Sequence, residues 1–97
     1  MSDTTLQVLQ QIISEICDID EAEIVPSANT IDDLGVDSLD FLDISFAVEQ
    51  RLGVKLPAEN WVEAVNQGNA EMGDYFTVDS IVKYIDTELA ARNAAAA

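Results

Sequence analysis

The chain has 97 residues, 48% of them hydrophobic, which is enough for one domain with a small core. Nineteen acidic residues against four basic ones give a formal net charge of −15 at pH 7. This charge argues against nucleic acid or an anionic membrane surface as a partner and favours a protein with a basic patch.

The chain shows no signal for transport to or across a membrane. It has no apolar run long enough for a transmembrane helix, and no basic N-terminal region followed by an apolar stretch. Its one cysteine, Cys17, cannot form an internal disulfide. These features predict a cytoplasmic protein with no direct membrane insertion.

The first predicted helix begins at Ser2 or Asp3 and runs to about Cys17. Its large apolar residues recur at three- and four-residue spacing and form one face: Leu6, Leu9, Ile13 and Ile16. The neighbours of Cys17 are acidic, whereas a reactive thiol requires a nearby cation. We therefore interpret Cys17 as a small buried hydrophobe.

Residues 18–36 form a long connection that Pro26, Asn29 and Gly35 interrupt. Its apolar residues are too numerous for a free linker and predict contact with the core: Ile24, Val25, Ile31, Leu34 and Val36. The stretch D-I-D-E-A-E at 18–23 begins like a calcium loop but lacks the glycine and the closing glutamate of one. We interpret these acids as a solvated surface with no metal site, and a calcium-responsive helical protein is the alternative.

The second predicted helix begins at Asp37 or Ser38 and ends near Leu52, where Gly53 favours a stop. Asp37 and Asp40 place carboxylates at the cap and in the first turn, where they interact favourably with the helix dipole. The apolar residues form one stripe of Leu39, Leu42 and Phe46 and another of Phe41, Ile44 and Val48. We expect Leu42 and Phe46 to connect the surface to the core.

A short third helix is predicted from Ala58 to Gln67, with Pro57 in its first turn. Its inward residues are Trp61, Val62 and Val65. An irregular insert follows, with one predicted helical turn around residues 71–75. Thr77 or Asp79 then caps a last helix whose apolar face contains Val78, Ile81, Val82, Ile85 and Leu89.

The predicted fold is all-α, because no segment alternates apolar and polar residues in the manner of a strand. It is a bundle of three longer helices plus a shorter helix, with an extended insert before the last helix. Residues 1–89 form the single predicted domain. Residues 90–97 form an alanine-rich tail that has no large anchoring residue and is predicted to be flexible.

Ser38 lies between an acidic loop and the second helix, and it is poorly suited to catalysis. A nucleophilic serine requires a base and donors for the oxyanion, but the chain has no histidine, and its lysines are Lys55 and Lys83. A G-x-S-x-G elbow is also lacking. A phosphate ester at a helix start would, however, meet free N–H groups and the positive end of the dipole. The site thus suits carrying a phosphodiester, whereas a helix cap is the structural alternative.

The sequence G-V-D-S-L-D at 35–40, an acidic amphipathic helix and V-K-L-P at 54–57 together resemble the acyl carrier proteins from residue 3 to about 89. The resemblance implies that the chain is not an enzyme and that a phosphopantetheinyl transferase attaches 4′-phosphopantetheine from coenzyme A to Ser38. An acyl chain is then held as a thioester on that arm. We also expect a monomer.

The resemblance further implies a recognition face for the transferase and for acyl synthases and acyltransferases with basic docking patches. The matching positions are Asp37, Leu39, Asp40, Asp43, Phe46, Glu49 and Leu56. Of these, Leu56 matches a hydrophobic residue that lines either this face or the acyl pocket. Gln50 stands where the family usually has another acid, so one recognition charge is missing.

The segment between Pro57 and Thr77 is longer than in an ordinary fatty-acid carrier and resembles a specialised carrier of very-long-chain hydroxy fatty acids for lipid A. On this hypothesis the acyl-chain contacts are Leu42, Phe46, Trp61, Tyr75 and Phe76. The alternative is that the insert covers one end of the bundle with aromatic residues of the core. The sequence allows two other functions. One is a generic fatty-acid, polyketide or peptidyl carrier, and the other is an unmodified acidic docking module.

Overall fold

A computed structural model describes residues 3–68 and 75–96. These residues form four α-helices: α1 (Asp3–Cys17), α2 (Ser38–Leu52), α3 (Ala58–Asn66) and α4 (Val78–Ala96). A 3-10 turn, Glu21–Glu23, lies between α1 and α2. Within the described ranges the only strand-like pairing is one antiparallel bridge between Asn29 and Thr77. The all-α prediction is therefore confirmed.

The core lies between α1, α2 and α4, with α3 packed against α2. Each helix contributes one buried apolar stripe at three- and four-residue spacing. The largest contributions come from Leu9, Ile12 and Ile13 of α1, from Phe41, Ile44 and Val48 of α2, and from Val78, Ile81, Val82 and Ile85 of α4. No helix in the described residues is long and apolar enough to cross a membrane.

The connection between α1 and α2 is fastened to the beginning of α4. The amide and the hydroxyl of Thr30 both donate to the carbonyl oxygen of Phe76, at 2.8 and 2.7 Å. The first amides of α4 donate back, Val78 to the carbonyl of Ala28 and Asp79 to that of Pro26, each at 2.9 Å. These bonds satisfy helix N–H groups that would otherwise lack partners.

The predicted core contacts of this connection are confirmed at four positions and wrong at one. Ile24 and Val36 are buried, and Ile31 and Leu34 are partly buried against the core. Val25 instead faces outward, with 43% of its surface exposed. The carbonyl of Ile24 accepts a hydrogen bond from the side chain of Gln10 at 2.9 Å, which fixes the turn with Ile24 directed inward.

Two predicted helix boundaries differ from the structure. Pro57 is the N-cap of α3 and not a residue of its first turn, and its carbonyl accepts from the amide of Trp61 at 3.0 Å. Thr77 caps helix α4, because its hydroxyl accepts a hydrogen bond from the amide of Ser80 at 3.2 Å. The helix continues to Ala96, beyond the predicted end near Leu89. Alanine has the highest helix propensity and makes up five of the seven residues 90–96, which favours continuation of the helix through this segment.

Three predictions about the insert and the C-terminal segment stay predictions. The predicted helical turn at 71–75 falls largely outside the described residues. The flexibility of residues 90–97 stays a prediction, as does the domain boundary at residue 89.

Candidate functional site

Ser38 is the first residue of α2, and Asp37 caps the helix in front of it. The Oδ1 atom of Asp37 accepts a hydrogen bond from the amide of Asp40 at 2.8 Å. Capping is thus the role of Asp37, and the structural alternative that assigned this role to Ser38 is wrong. Ser38 occupies a position where backbone N–H groups and the helix dipole favour an anionic substituent.

Helix α2 carries its two apolar stripes on different sides. Phe41, Ile44 and Val48 are completely buried. Leu39 is 73% exposed, Phe46 61% and Leu42 39%. The expectation that Phe46 connects the surface to the core is therefore wrong, and only Leu42 is partly covered.

Carboxylates surround the exposed stripe. Asp37, Asp43 and Glu49 are exposed and Asp40 is half-buried. The two ion pairs among the described residues are Arg51 with Glu15 and Lys83 with Asp79, so these four acids have no basic partner there. We call the exposed face formed by Asp37, Leu39, Asp40, Asp43, Phe46 and Glu49 the α2 surface. It combines apolar contact area with uncompensated negative charge.

The remaining predicted recognition residue, Leu56, is only 2% exposed and does not belong to the α2 surface. Its carbonyl accepts from the hydroxyl of Ser45 at 3.2 Å, which joins the segment after α2 to the helix. Leu56 instead forms one wall of a groove of about 350 Å³, which we call the α2–α3 groove. Its lining residues are Leu42, Ser45, Lys55, Leu56, Pro57, Ala58, Glu59 and Asn60.

The α2–α3 groove begins beside Leu42, which lies about one helical turn beyond Ser38. Sequence reasoning identified Leu42 and Leu56 but missed Ser45, Lys55 and Ala58. These residues come from three segments that meet only when α3 packs on α2, so no local pattern marks them. The groove is an apolar recess whose rim at Leu42 lies four residues along α2 from Ser38.

The aromatic residues of the insert pack together instead of lining this groove. Trp61 and Phe76 are buried, and Tyr75 is stacked on Trp61 with ring centroids 5.3 Å apart. Phe41 meets Phe76 edge to face at 5.0 Å, and Tyr84 meets Trp61 in the same way at 5.2 Å. This packing favours the interpretation that the insert covers one end of the bundle. Contact between these rings and an acyl chain stays a prediction.

The titratable groups near α2 do not form a reactive centre. Burial raises the pKa of the half-buried Cys17 thiol, and the carboxylates of Asp40, Asp37 and Asp43 raise it further. A thiol with a raised pKa is a weak nucleophile at neutral pH, as we expected for this residue. Among the described residues no three carboxylates or thiols converge in a way that could hold a metal ion.

Comparison with known proteins identifies the family of the chain. The family model for the phosphopantetheine attachment site matches residues 7–66. The acyl carrier protein AcpXL of Mesorhizobium japonicum is 45% identical over 91 residues, which cover 94% of this chain and 98% of that protein. AcpXL of Rhizobium etli is 44% identical over 91% of this chain and 96% of its own length.

A more distant relative is the acyl carrier protein of Helicobacter pylori, which is 36% identical over 80% of this chain and 86% of its own length. The match therefore extends from ordinary acyl carrier proteins to the AcpXL group, where it is stronger and covers more of the chain. The chain belongs to the acyl carrier protein family, whose members carry acyl groups on a covalently attached 4′-phosphopantetheine.

Proposed function

We propose that Ser38 is the residue that carries 4′-phosphopantetheine, and that the chain serves cytoplasmic enzymes as a non-catalytic acyl carrier. The observation that carries this proposal is the start of α2. Asp37 supplies the cap, so the serine that follows it is not required to hold the helix together. The first-turn amides and the helix dipole suit a phosphodiester at this position.

The arm, when bound, supplies the thiol on which the acyl group is held. The chain's own residues orient and present it. An arm attached at the first position of α2 would begin beside Leu39 of the α2 surface, where we propose that an enzyme docks, and about one helical turn from Leu42 on the α2–α3 groove. The phosphopantetheinyl transferase, acyl synthases and acyltransferases are the proposed partners, each through a basic patch with apolar contacts.

Mass spectrometry tests the attachment site. Incubation of the protein with coenzyme A and a phosphopantetheinyl transferase is expected to add roughly 340 Da, the size of this covalent group. Ser38→Ala should not gain mass, whereas Ser27→Ala, which removes an exposed serine elsewhere, should gain it in full. A gain in Ser38→Ala, or none in the unaltered protein, would reject Ser38 as the site.

We further propose that the acyl groups are very long and are destined for lipid A. The support is the extended segment between Pro57 and Thr77 together with the strong match to AcpXL proteins. An apolar cavity of about 150 Å³ holds a benzene molecule. On that scale the α2–α3 groove, at about 350 Å³, covers only part of a very long chain. The rest would pass Leu42 and lie against Leu39 and Phe46 of the α2 surface.

Thermal unfolding of loaded protein tests the chain length. Holo protein carrying a very long acyl chain should melt at a higher temperature than protein carrying a medium chain, because more apolar area is covered. Phe46→Ser should reduce this difference without affecting the medium-chain form. Equal melting temperatures for both lengths would favour a generic carrier.

A further inference from the structure

A second groove lies away from the α2–α3 groove, in the connection between α1 and α2. Its volume is about 490 Å³. The lining residues are Ile19, Glu23, Val25, Ser27, Ala28, Asp33 and Leu34. We call it the loop groove. Among the described residues, Val25 is the only large hydrophobic side chain outside α2 that is recorded as exposed.

The walls of the loop groove are held in place by hydrogen bonds. The amides of Glu23 and Ala28 donate to the carbonyls of Asp20 and Val25, at 2.9 and 3.0 Å. The amide of Asn29 donates to Oδ2 of Asp33 at 2.8 Å. On the far side, Ala28 is tied to the start of α4 through its bond from Val78. A ligand would therefore meet a preformed recess and lose little binding free energy to ordering of the loop.

The charge around the loop groove identifies the kind of occupant. Residues 18–33 contain six acidic residues and no lysine or arginine. Glu23 and Asp33 lie on the rim, and neither is ion-paired within the described residues. An apolar side chain in the groove would cover Val25 and Leu34, and flanking cations would neutralise the rim. An uncharged apolar ligand would cover the apolar walls but leave the negative charges of the rim without a partner.

The loop groove lies close to the beginning of α2. Leu34 precedes Ser38 by four residues, a separation of at most about 14 Å for an extended chain. Cys17, two residues before Ile19, is near enough to Asp37 and Asp40 to be influenced by their charges. A protein that docks on the α2 surface would therefore have only a short distance to span to the loop groove, and two linked contacts bind more tightly than either alone.

We propose that the loop groove is a second docking site, which binds a protein segment with one apolar side chain flanked by lysine or arginine. The segment belongs to an enzyme that also contacts the α2 surface. Only this identity of the partner rests on the proposed function, since the groove itself does not require the arm.

A pair of peptides tests the groove by NMR on ¹⁵N-labelled Ser38→Ala protein, in which no arm can be attached at residue 38. The first peptide, acetyl-RKLKR-amide, supplies the apolar side chain, and acetyl-RKSKR-amide is the matched control. The leucine peptide is expected to shift the amides of Val25, Ala28 and Leu34 and to bind at least about fivefold more tightly than the control. Its affinity should fall as salt rises from low to physiological strength.

Two variants at exposed positions locate the contact. Val25→Ser should lower the affinity of the leucine peptide to that of the control peptide, whereas Gln11→Ser on α1, outside both proposed docking sites, should leave that affinity unchanged. Equal affinity of the two peptides, shifts confined to α2, or no effect of Val25→Ser would each overturn the proposal. A second experiment uses protein that retains Ser38: displacement of the leucine peptide by an octanoyl arm on Ser38 would also overturn the proposal, since the groove would then belong to the acyl chain. The peptide test uses protein that lacks Ser38, so its result does not depend on whether Ser38 carries the arm. A negative peptide result would therefore reject the loop groove as a docking site without rejecting Ser38 as the attachment site.

Discussion

The two apolar stripes of α2 have the same spacing and opposite environments. Phe41, Ile44 and Val48 are fully buried, whereas Leu39 and Phe46 are mostly exposed. The inner stripe contributes free energy of folding through the area that it removes from water. The outer stripe contributes little of this kind, so its contact area is available to another molecule. One helix thus separates the residues that hold the fold from those that we propose to engage a partner.

The largest expected difference between the stripes is in stability. Phe41→Ala should lower the free energy of unfolding by about 3 to 5 kcal/mol, because it leaves a cavity among Phe76 and Trp61. Phe46→Ala should change it by only about 0.5 kcal/mol. Denaturation in urea, followed by circular dichroism, measures both. If Phe41→Ala does not fold, Phe41→Leu should show a smaller loss of the same kind. Similar losses at positions 41 and 46 would mean that the stripes do not differ.

The next largest effect is expected on recognition by a partner enzyme, where the exposed stripe of α2 should matter more than the buried one. Leu39→Ser and Phe46→Ser should each lower kcat/KM of a phosphopantetheinyl transferase for this protein by about tenfold, as for an apolar contact at an interface centre. Gln11→Ser, a change at an exposed position on α1, should have no effect. Unchanged kcat/KM in both α2 variants would show that the enzyme does not use the outer stripe.

The bounds of α2 could be predicted from sequence because they depend on local chemistry. Asp37 caps the helix, and Gly53 adopts the left-handed conformation that ends it, with φ of 71°. Ser38 is proposed as the attachment site from the resemblance of its surrounding motif and from its place at the start of a helix. The walls of the two grooves, in contrast, could not be predicted. They depend on how α3 and the α1–α2 connection pack, which no local pattern records.

The division between the two stripes could have been predicted from the positions of the acids. At about 100° per residue, the centres of the two stripes lie about 160° apart, so they are nearly opposite faces. Asp43 and Glu49 fall on the side of Leu39 and Phe46, one on each flank of that stripe. A stripe bordered by several charges is expected to face solvent, and this signal decides which of two equally spaced stripes is buried. The same consideration does not identify Val25, whose loop has no helical period.

A smaller effect separates the two roles of Asp37, which caps α2 and carries charge on the α2 surface. Asp37→Ala should lower the free energy of unfolding by about 1 kcal/mol through loss of the cap. Asp37→Asn should retain most of this stability, since asparagine caps equally well, while it removes the charge. Thermal unfolding and transferase kinetics on both variants distinguish the roles. If asparagine costs as much stability as alanine, the charge and not the cap stabilises the helix.

The smallest expected effect measures how far the charge of the α2 surface reaches across the helix. Asp40 raises the pKa of the Cys17 thiol, so Asp40→Asn should lower that pKa. At a fixed pH of about 8 more thiolate is then present, and alkylation by iodoacetamide should be faster, on the order of twofold. Glu59→Gln, which removes an exposed charge on α3, is the matched control and should leave the rate unchanged. A rate that does not respond to Asp40→Asn would mean that solvent screens the acids from the interior. The carboxylates of the α2 surface would then influence docking partners without raising the pKa of groups on the other side of the helix.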